Sequence, residues 1–360
     1  MSIGTDKKID RLNRMTVCPL QDTMNKEDEV TMNHESKSRR WHKKVKEDII
    51  QLSIPTPFAV GDVHAYILKG EAVTLVDCGP MTEEAEHAFV TQLHEHRLSI
   101  DDIDQVVLTH HHADHVGLLN LMKPHVRVIG HELNEPYISQ DPEFKERQIA
   151  FTKHLFQQLG VPLRPDECER IVKQSYTYSC TAHVDDVIKE GDRLKGHEHF
   201  FIMETPGHAQ SHLSFLDETT GHFIGGDLLL TTISSNPLME APYEGEERQK
   251  SLLQYKASLN RLLHLPIKTI YPGHGQLITS HHELIEERFK KQEKRANTMY
   301  QLLKRKEMTA FHLCRKLFPV LYEEALFLTM SETVGQLDVL LEAGQIEEVQ
   351  KDGILYYRAN

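Results

Sequence analysis

An α/β architecture with a small additional domain at the C-terminus is what the sequence predicts, on three observations. Short β-branched runs recur from about residue 48, amphipathic helical stretches alternate with them, and the texture changes again near residue 282. A length of 360 residues suits one large domain and one small one, at roughly 100 to 200 residues per domain. The expected divisions are a polar leader over 1–47, a main domain over 48–281 with a helical insertion at 142–175, and a winged-helix-like domain over 282–360.

The leader is charge-mixed and ends in KSRRWHKKVK, six of whose ten residues are Lys or Arg. It reads as a solvated extension rather than a nucleic-acid or membrane contact. IIQLSI, HAYILKG and VTLVD then read as consecutive strands, because β-branched residues fit a pleated, half-buried surface. TEEAEHAFVTQLHEHR follows as a helix: a threonine caps it, acidic residues fill its first turn, and Ala85, Phe89 and Leu93 line one face. QVVLT is a strand that runs into a cluster of histidines, HVGLLNLM a short helix leaving it, and VRVIG another strand.

The insertion interrupts this alternation with two helices, PEFKERQIAFTKHLFQQLG and PDECERIVKQS, separated by loop signals at Gly160, Pro162 and Pro165. Phe151, Leu155, Phe156 and Leu159 form an apolar stripe along the first, which reads as core contact ahead of the inner face of a lid. FFIMETPGH, HLSFLD and HFIGGD resume as strands, QKSLLQYKASLNRLLHL as a helix and IKTIYPGHG as a last strand. In the tail, a long charged helix precedes TAFHLCRKLF, SETVGQLDVLLEAG and two strands joined at KDG, a good hairpin signal.

Composition narrows the function classes. The net charge of −13 repels polyanions, so nucleic-acid binding would need a strong local basic surface. Five cysteines without a CxxC pair signal neither a disulfide framework nor a thiolate zinc site, which suits a reducing cytoplasm. No apolar run is long enough for a signal peptide or a membrane span, so a cytoplasmic protein without membrane contact is expected. Of the 24 histidines, His87, His94, His96, His197 and His199 fall in polar segments and read as surface side chains.

Five sites remain, each where an expected strand meets a loop: Asp77 in VDCGP, THHHADH at 109–115, His208 in TPGHAQSH, Asp227 in IGGD and His274 in YPGHG. Strand ends of an α/β sheet converge on one edge, which lets residues remote in sequence meet. Neutral imidazole and carboxylate are borderline-hard donors suited to Zn2+-like divalent ions. His110, His112 and His208 can form one metal's face; Asp114, His115 and His274 can form a second; Asp227 can bridge them, with positions left open for water. His111 is expected to point elsewhere, and His131, His212 and His222 to be ordinary structural histidines. Cys78 reads as a small packing residue.

THHHADH, the isolated GH at His208, GGD at Asp227 and PGHG at His274 together resemble the complete ligand set of the metallo-β-lactamase superfamily, over residues from about 50 to 280. The resemblance implies a four-layer αβ/βα sandwich, with Asp77 supporting the ligand loop rather than binding metal. It implies two divalent ions, Zn2+ first and Mn2+ or Fe2+ as alternatives, whose bridging hydroxide is the nucleophile, with Asp114 and Asp227 as the catalytic carboxylates. TAFHLCRKLFP, SETVGQLDVLLEAGQI and DGILYY resemble the winged helix of the β-lactamase-like protein 2 branch, which includes an endoribonuclease.

The expected activity is hydrolysis of a small ester, thioester or lactone. Cleavage of single-stranded RNA guided by basic residues in 288–306, a mononuclear iron dioxygenase of the persulfide type, and a regulatory protein whose metal site senses a ligand are the alternatives. His112 stands where flavo-diiron reductases carry glutamate, and only a helix and a strand fit between Asp227 and His274, which leaves no room for the inserted domain of the superfamily's large nucleases. The expected partner is a small-molecule substrate ahead of RNA, with a homodimer through the tail as a further expectation.

Overall fold

A computed structural model describes residues 49–243, 245 and 247–360; the leader lies outside them. The first sheet holds β1 (Ile49–Ile54), β2 (Val63–Lys69), β3 (Val73–Val76), β4 (Gln105–Val107), β5 (Arg127–Gly130) and β6 (Asp186–Val187), in that order. Its first two pairings are antiparallel and the next three parallel. Helix α1 (Glu83–Glu95) fills the crossover between β3 and β4, and Thr82 caps it by accepting from the Ala85 N–H at 3.1 Å. After β4 come the single turn α2 (Ala113–Val116) and, beyond β5, α3 (Glu135–Ile138). The insertion is α4 (Pro142–Gln158) and α5 (Glu167–Ser175), as expected from its apolar spacing and loop residues.

The second sheet has the order β11-β10-β9-β8-β7, made of β7 (Arg193–Leu194), β8 (His197–Glu204), β9 (Leu213–Asp217), β10 (His222–Gly226) and β11 (Thr269–Pro272), with α6 (Ser251–Leu262) between the last two. Period-2 alternation sorts the layers. Tyr66, Leu68, Val76, Val107 and Ile129 of the first sheet meet Phe200, Ile202, Leu213, Phe215 and Ile224 of the second in a core between them. The intervening residues Ile67, Leu75 and Val106 turn outward to Ala85, Phe89 and Leu93 of α1. On the far side, Leu216, Phe223 and Ile270 pack on Leu252, Tyr255 and Leu259 of α6. Helix, sheet, sheet, helix is the expected four-layer sandwich.

The tail comprises α7 (His281–Leu303), β12 (Met308–Thr309), α8 (Ala310–Leu317), α9 (Leu321–Glu324), α10 (Leu326–Glu342), β13 (Ile346–Lys351) and β14 (Ile354–Ala359). The sequence foresaw the hairpin but not β12, which completes a three-stranded sheet of order β12-β14-β13. Nor did it foresee α9, or the start of α10 five residues before Ser331. Leu155, Phe156 and Leu159 of the insertion share one apolar core with Met299, Leu313, Met330, Val334 and Leu337, so the stripe on α4 is core contact. Among the described residues no helix is long and apolar enough to cross a membrane.

One expectation is corrected. His197 is not a surface side chain but is 1% exposed, with Nε2 2.9 Å from Thr74 Oγ1 between the sheets. It begins β8 three residues before the FFIMETPGH run, where the strand lies over its neighbour.

Candidate metal centre

The C-terminal ends of β3, β4, β10 and β11 carry Asp77, the 109–115 segment, Asp227 and His274 to one edge of the sandwich, and the turn after β8 adds His208. The Leu213 N–H donates to the Thr109 carbonyl and the His64 N–H to that of Gly273, both at 2.7 Å, tying the two sheets where these residues leave them. The chain can pass Asp77 only in the left-handed region, at φ 56°, a conformation Asp tolerates better than most residues. Gly273 is required by contact: a Cβ there would lie 2.1 Å from Asp227 Oδ1.

Three groups of potential ligand atoms result, each with its members within 4.8 Å of one another: His110, His112 and His208; His110, His115 and Asp227; Asp114, His115 and His274. His274 Nε2 is 3.2 Å from Asp114 Oδ2 and 3.6 Å from Asp227 Oδ2, and His208 Nε2 is 3.5 Å from the latter. His112 turns Nδ1 inward, 2.9 Å from His110 Nε2 and 3.0 Å from His208 Nε2.

The outer partners of these imidazoles fix their tautomers. Carboxylates and carbonyls only accept, so a ring nitrogen facing one must carry the proton and leave the opposite nitrogen bare. His115 Nδ1 donates to Asp77 at 2.8 Å, His274 Nδ1 to the Asp62 carbonyl at 2.8 Å and His208 Nδ1 to that of Asn236 at 3.1 Å. Thr109 Oγ1 donates to Asp77 at 2.7 Å and so accepts from His110 Nδ1 at 2.9 Å. With the rings neutral, four lone pairs therefore point inward. His115 Nε2 and Asp227 Oδ1 are buried without a hydrogen-bond partner. Burying such groups unpaired is costly, and a cation between them removes the cost. The residues fit a metal site.

Electrostatics separate the two ligand sets. Burial and the neighbouring imidazoles hold His110 well below the usual histidine range, and His112 is lowered to about 3, which keeps both neutral as ligands must be. Burial alone would also lower His115 and His274, but the carboxylates of Asp77, Asp227 and Asp114 around the first and of Asp227 and Asp114 around the second outweigh it and raise both, so without a cation these rings favour a second proton on Nε2, the position a metal ion would take. Asp227 is pulled well below the carboxylate range, since His274 and His115 outweigh the effect of burial. His110 and His115 are fully buried, whereas Asp114, His208 and Asp227 are 7–8% exposed and His112 is half-buried. The centre opens on that side.

Every expected site residue is therefore at this edge, with Asp77 behind His115 rather than among the inward atoms. His111 points away, as expected: Nδ1 faces Ser211 Oγ at 2.8 Å and the ring stacks on Tyr137 with centroids 3.5 Å apart. Two supports escaped the sequence. His212, expected to be ordinary, is buried and accepts the Asp227 N–H through Nε2 at 3.1 Å, so its Nδ1 donates to Thr205 at 2.8 Å. His64 donates from Nε2 to the Gly275 carbonyl at 2.7 Å, bracing the His274 turn. The recurrence of HxxxH across His208 and His212 is the one signal that could have marked the first.

Comparison with known proteins adds an independent line. A family model described as "Metallo-beta-lactamase superfamily" matches residues 59–274. A protein of Bacillus subtilis (strain 168), named "Probable metallo-hydrolase YqjP", is 47% identical over 312 residues, 87% of this chain and 98% of that protein. A "Beta-lactamase-like protein 2 homolog" of Caenorhabditis elegans is 25% identical over 258 residues, 70% of this chain and 69% of that one. Among solved structures, the metallo-beta-lactamase family protein TTHA1429 from Thermus thermophilus superposes with a TM-score of 0.70 at 27% identity, covering 87% of this chain and 98% of its own.

Proposed function

The chain belongs to the metallo-β-lactamase superfamily and is a metal-dependent hydrolase, and we propose that it holds two divalent ions, Zn2+ first among them, to cleave a small ester, thioester or lactone. The observation that carries this is the pairing of two ligand sets, His110, His112 and His208 against Asp114, His115 and His274, with the Asp227 carboxylate facing both. A mononuclear site would leave one set of inward lone pairs without purpose. Divalent ions held there supply Lewis acidity and lower the pKa of water towards neutrality.

The chain's own residues do the rest. Asp77 and Thr109 hold His115 and His110 in one tautomer, and His212 fixes the backbone from which Asp227 reaches the centre. Asp114, on the open side with Oδ2 toward His274, is placed to take a proton during turnover.

A small acyl substrate is favoured over RNA by the fate of the basic residues in the tail. Lys290 pairs with Glu286, Lys291 with Glu287 and Arg295 with Glu332, while Arg288 is buried against the carbonyls of Leu230, Thr231 and Ile233. That engages half of the eight basic residues in 288–306, leaving Lys294, Lys304, Arg305 and Lys306 exposed to phosphates in a chain whose net charge of −13 opposes them. We read residues 282–360 as a winged-helix-like domain acting as a packing module, because its helices close the core begun by α4. Four buried, unpaired cysteines among the described residues suit a reducing cytoplasm.

The test is turnover of acyl thioesters and lactones against single-stranded RNA by zinc-loaded protein, beside Asp227→Asn. Acyl hydrolysis that falls more than about a hundredfold in the variant is expected, since even groups supporting a ligand are worth 10- to 100-fold. RNA cleavage without acyl turnover would overturn the proposal.

A further inference from the structure

The segment from Asn236 to Glu240 lies between the His208 turn and α10 and is bonded to both. On one side it takes the His208 Nδ1–H on the Asn236 carbonyl at 3.1 Å, gives the Leu238 N–H to the His208 carbonyl at 3.4 Å, and takes the Gln210 N–H on Glu240 Oε1 at 3.0 Å. On the other, Asn236 Nδ2 donates to the Leu328 carbonyl at 2.9 Å and the Met239 N–H to Ser331 Oγ at 3.2 Å. The Ser331 hydroxyl proton is already committed to the Phe327 carbonyl at 2.8 Å, so its oxygen is free to accept. From the third direction, Ser251 Oγ of α6 donates to the Leu238 carbonyl at 2.7 Å.

We propose that this segment is a strap through which α10 sets the position of His208, making Asn236 and Ser331 positioning residues that couple the C-terminal module to one of the two metal positions. The inference rests on the reading of His208 as a metal ligand. Asn236 is the joint: its main-chain oxygen orients the imidazole and its side-chain amide holds the helix. Its Oδ1 is buried and without a partner, so the amide is placed for Leu328 rather than by competing bonds. The other metal position takes its outer support from Asp77 and the Asp62 carbonyl, neither of which touches the strap. A disturbance of α10 at the strap should therefore act on one position selectively. Linkage makes the effect mutual: metal bound at His208 must strengthen the contact between strap and α10 by the same factor.

Stepwise Zn2+ titration of the full chain reads the first consequence. Asn236→Ala keeps the carbonyl facing His208 and removes the bond to Leu328; Ser331→Ala removes the acceptor of the Met239 N–H. Each should weaken one of two binding steps by about three- to tenfold, the worth of one hydrogen bond, and leave the other within about twofold. Val334→Ala, a core change one turn further along α10, should lower the melting temperature and leave both steps unchanged. Amide exchange of the unmutated protein reads the second: exchange at Met239 should slow on Zn2+ loading by a factor similar to the affinity lost in Ser331→Ala.

Equal weakening of both steps, no weakening of either, or exchange at Met239 that ignores Zn2+ would each overturn the strap. His208→Ala separates the two levels. If it leaves both binding steps intact, the assignment of His208 is wrong; if it abolishes one while the strap variants change nothing, the metal centre stands and the strap falls.

Discussion

At the metal-bearing edge, Asp77, Thr109, His110 and His115 are at most 2% exposed and are joined by hydrogen bonds of 2.7–2.9 Å, whereas the core around α10 is Met299, Leu313, Met330, Val334 and Leu337, equally buried and apolar. The first region is specified by direction, because Asp77 and Thr109 each hold several polar partners at once and removing either orphans the others. The second is specified by volume, because dispersion and burial do not mind which way a methyl points. Function sits where direction matters, and stability is drawn largely from the other region. The two respond to substitution in different observables.

The largest separation is expected from Gly273→Ala. The added Cβ would meet Asp227 Oδ1 at 2.1 Å, forcing the carboxylate away; metal content measured by elemental analysis should fall below two per chain and turnover by more than about a hundredfold, with the fold retained by circular dichroism. Full metal content would show that Asp227 does not hold the centre together. Leu313→Ala tests the opposite region. A fully buried leucine in the tail core should cost about 2–5 kcal/mol of unfolding free energy in urea, while Zn2+ affinity stays within about twofold. A parallel loss of affinity would mean that the division is false.

Asp77→Asn sharpens the comparison from within the polar edge. The amide keeps the shape and loses the charge that receives His115 Nδ1 and both Thr109 donors; Zn2+ affinity should drop about 10- to 100-fold, with a smaller change in stability. The smallest effect concerns Glu240, half-buried, whose pKa burial lifts to about 7 against the backbone bond from Gln210 and those from Tyr243 and Tyr137. A carboxyl raised in the folded state favours folding fully below its unfolded value near 4.5, and that contribution is lost as pH rises through 7. Relative to Glu240→Gln, the natural protein should lose stability between pH 5 and pH 8; identical urea midpoints at both would show that the carboxyl titrates normally.

Much of this was legible beforehand, for identifiable reasons. Thr82 with Glu83, Glu84 and Glu86 announces the start of α1, since capping is a local interaction. The short apolar run in HAYILKG, bounded by turn residues, announces β2, whose side chains are buried on both faces. β12 was missed because two residues, Met308 and Thr309, are a strand only by virtue of pairing with Tyr357 and Tyr356 at the far end of the tail. His197 was misjudged for a related reason: its polar neighbours describe the chain, while its burial is decided by Thr74 of the other sheet.

By itself the sequence determined the α/β order of elements, the superfamily and the seven inward-facing residues with Asp77 behind them, because each lies at a strand end or in a motif whose meaning is local. Only the tertiary structure decided which ring nitrogen each imidazole turns inward, that His212 and His64 brace the ligand loops, and that α10 touches the strap beside His208. Those are matters of angle and of contact between segments that the chain itself keeps apart. A hydrogen bond's direction is fixed by where the fold places its acceptor, and no spacing along the chain encodes that.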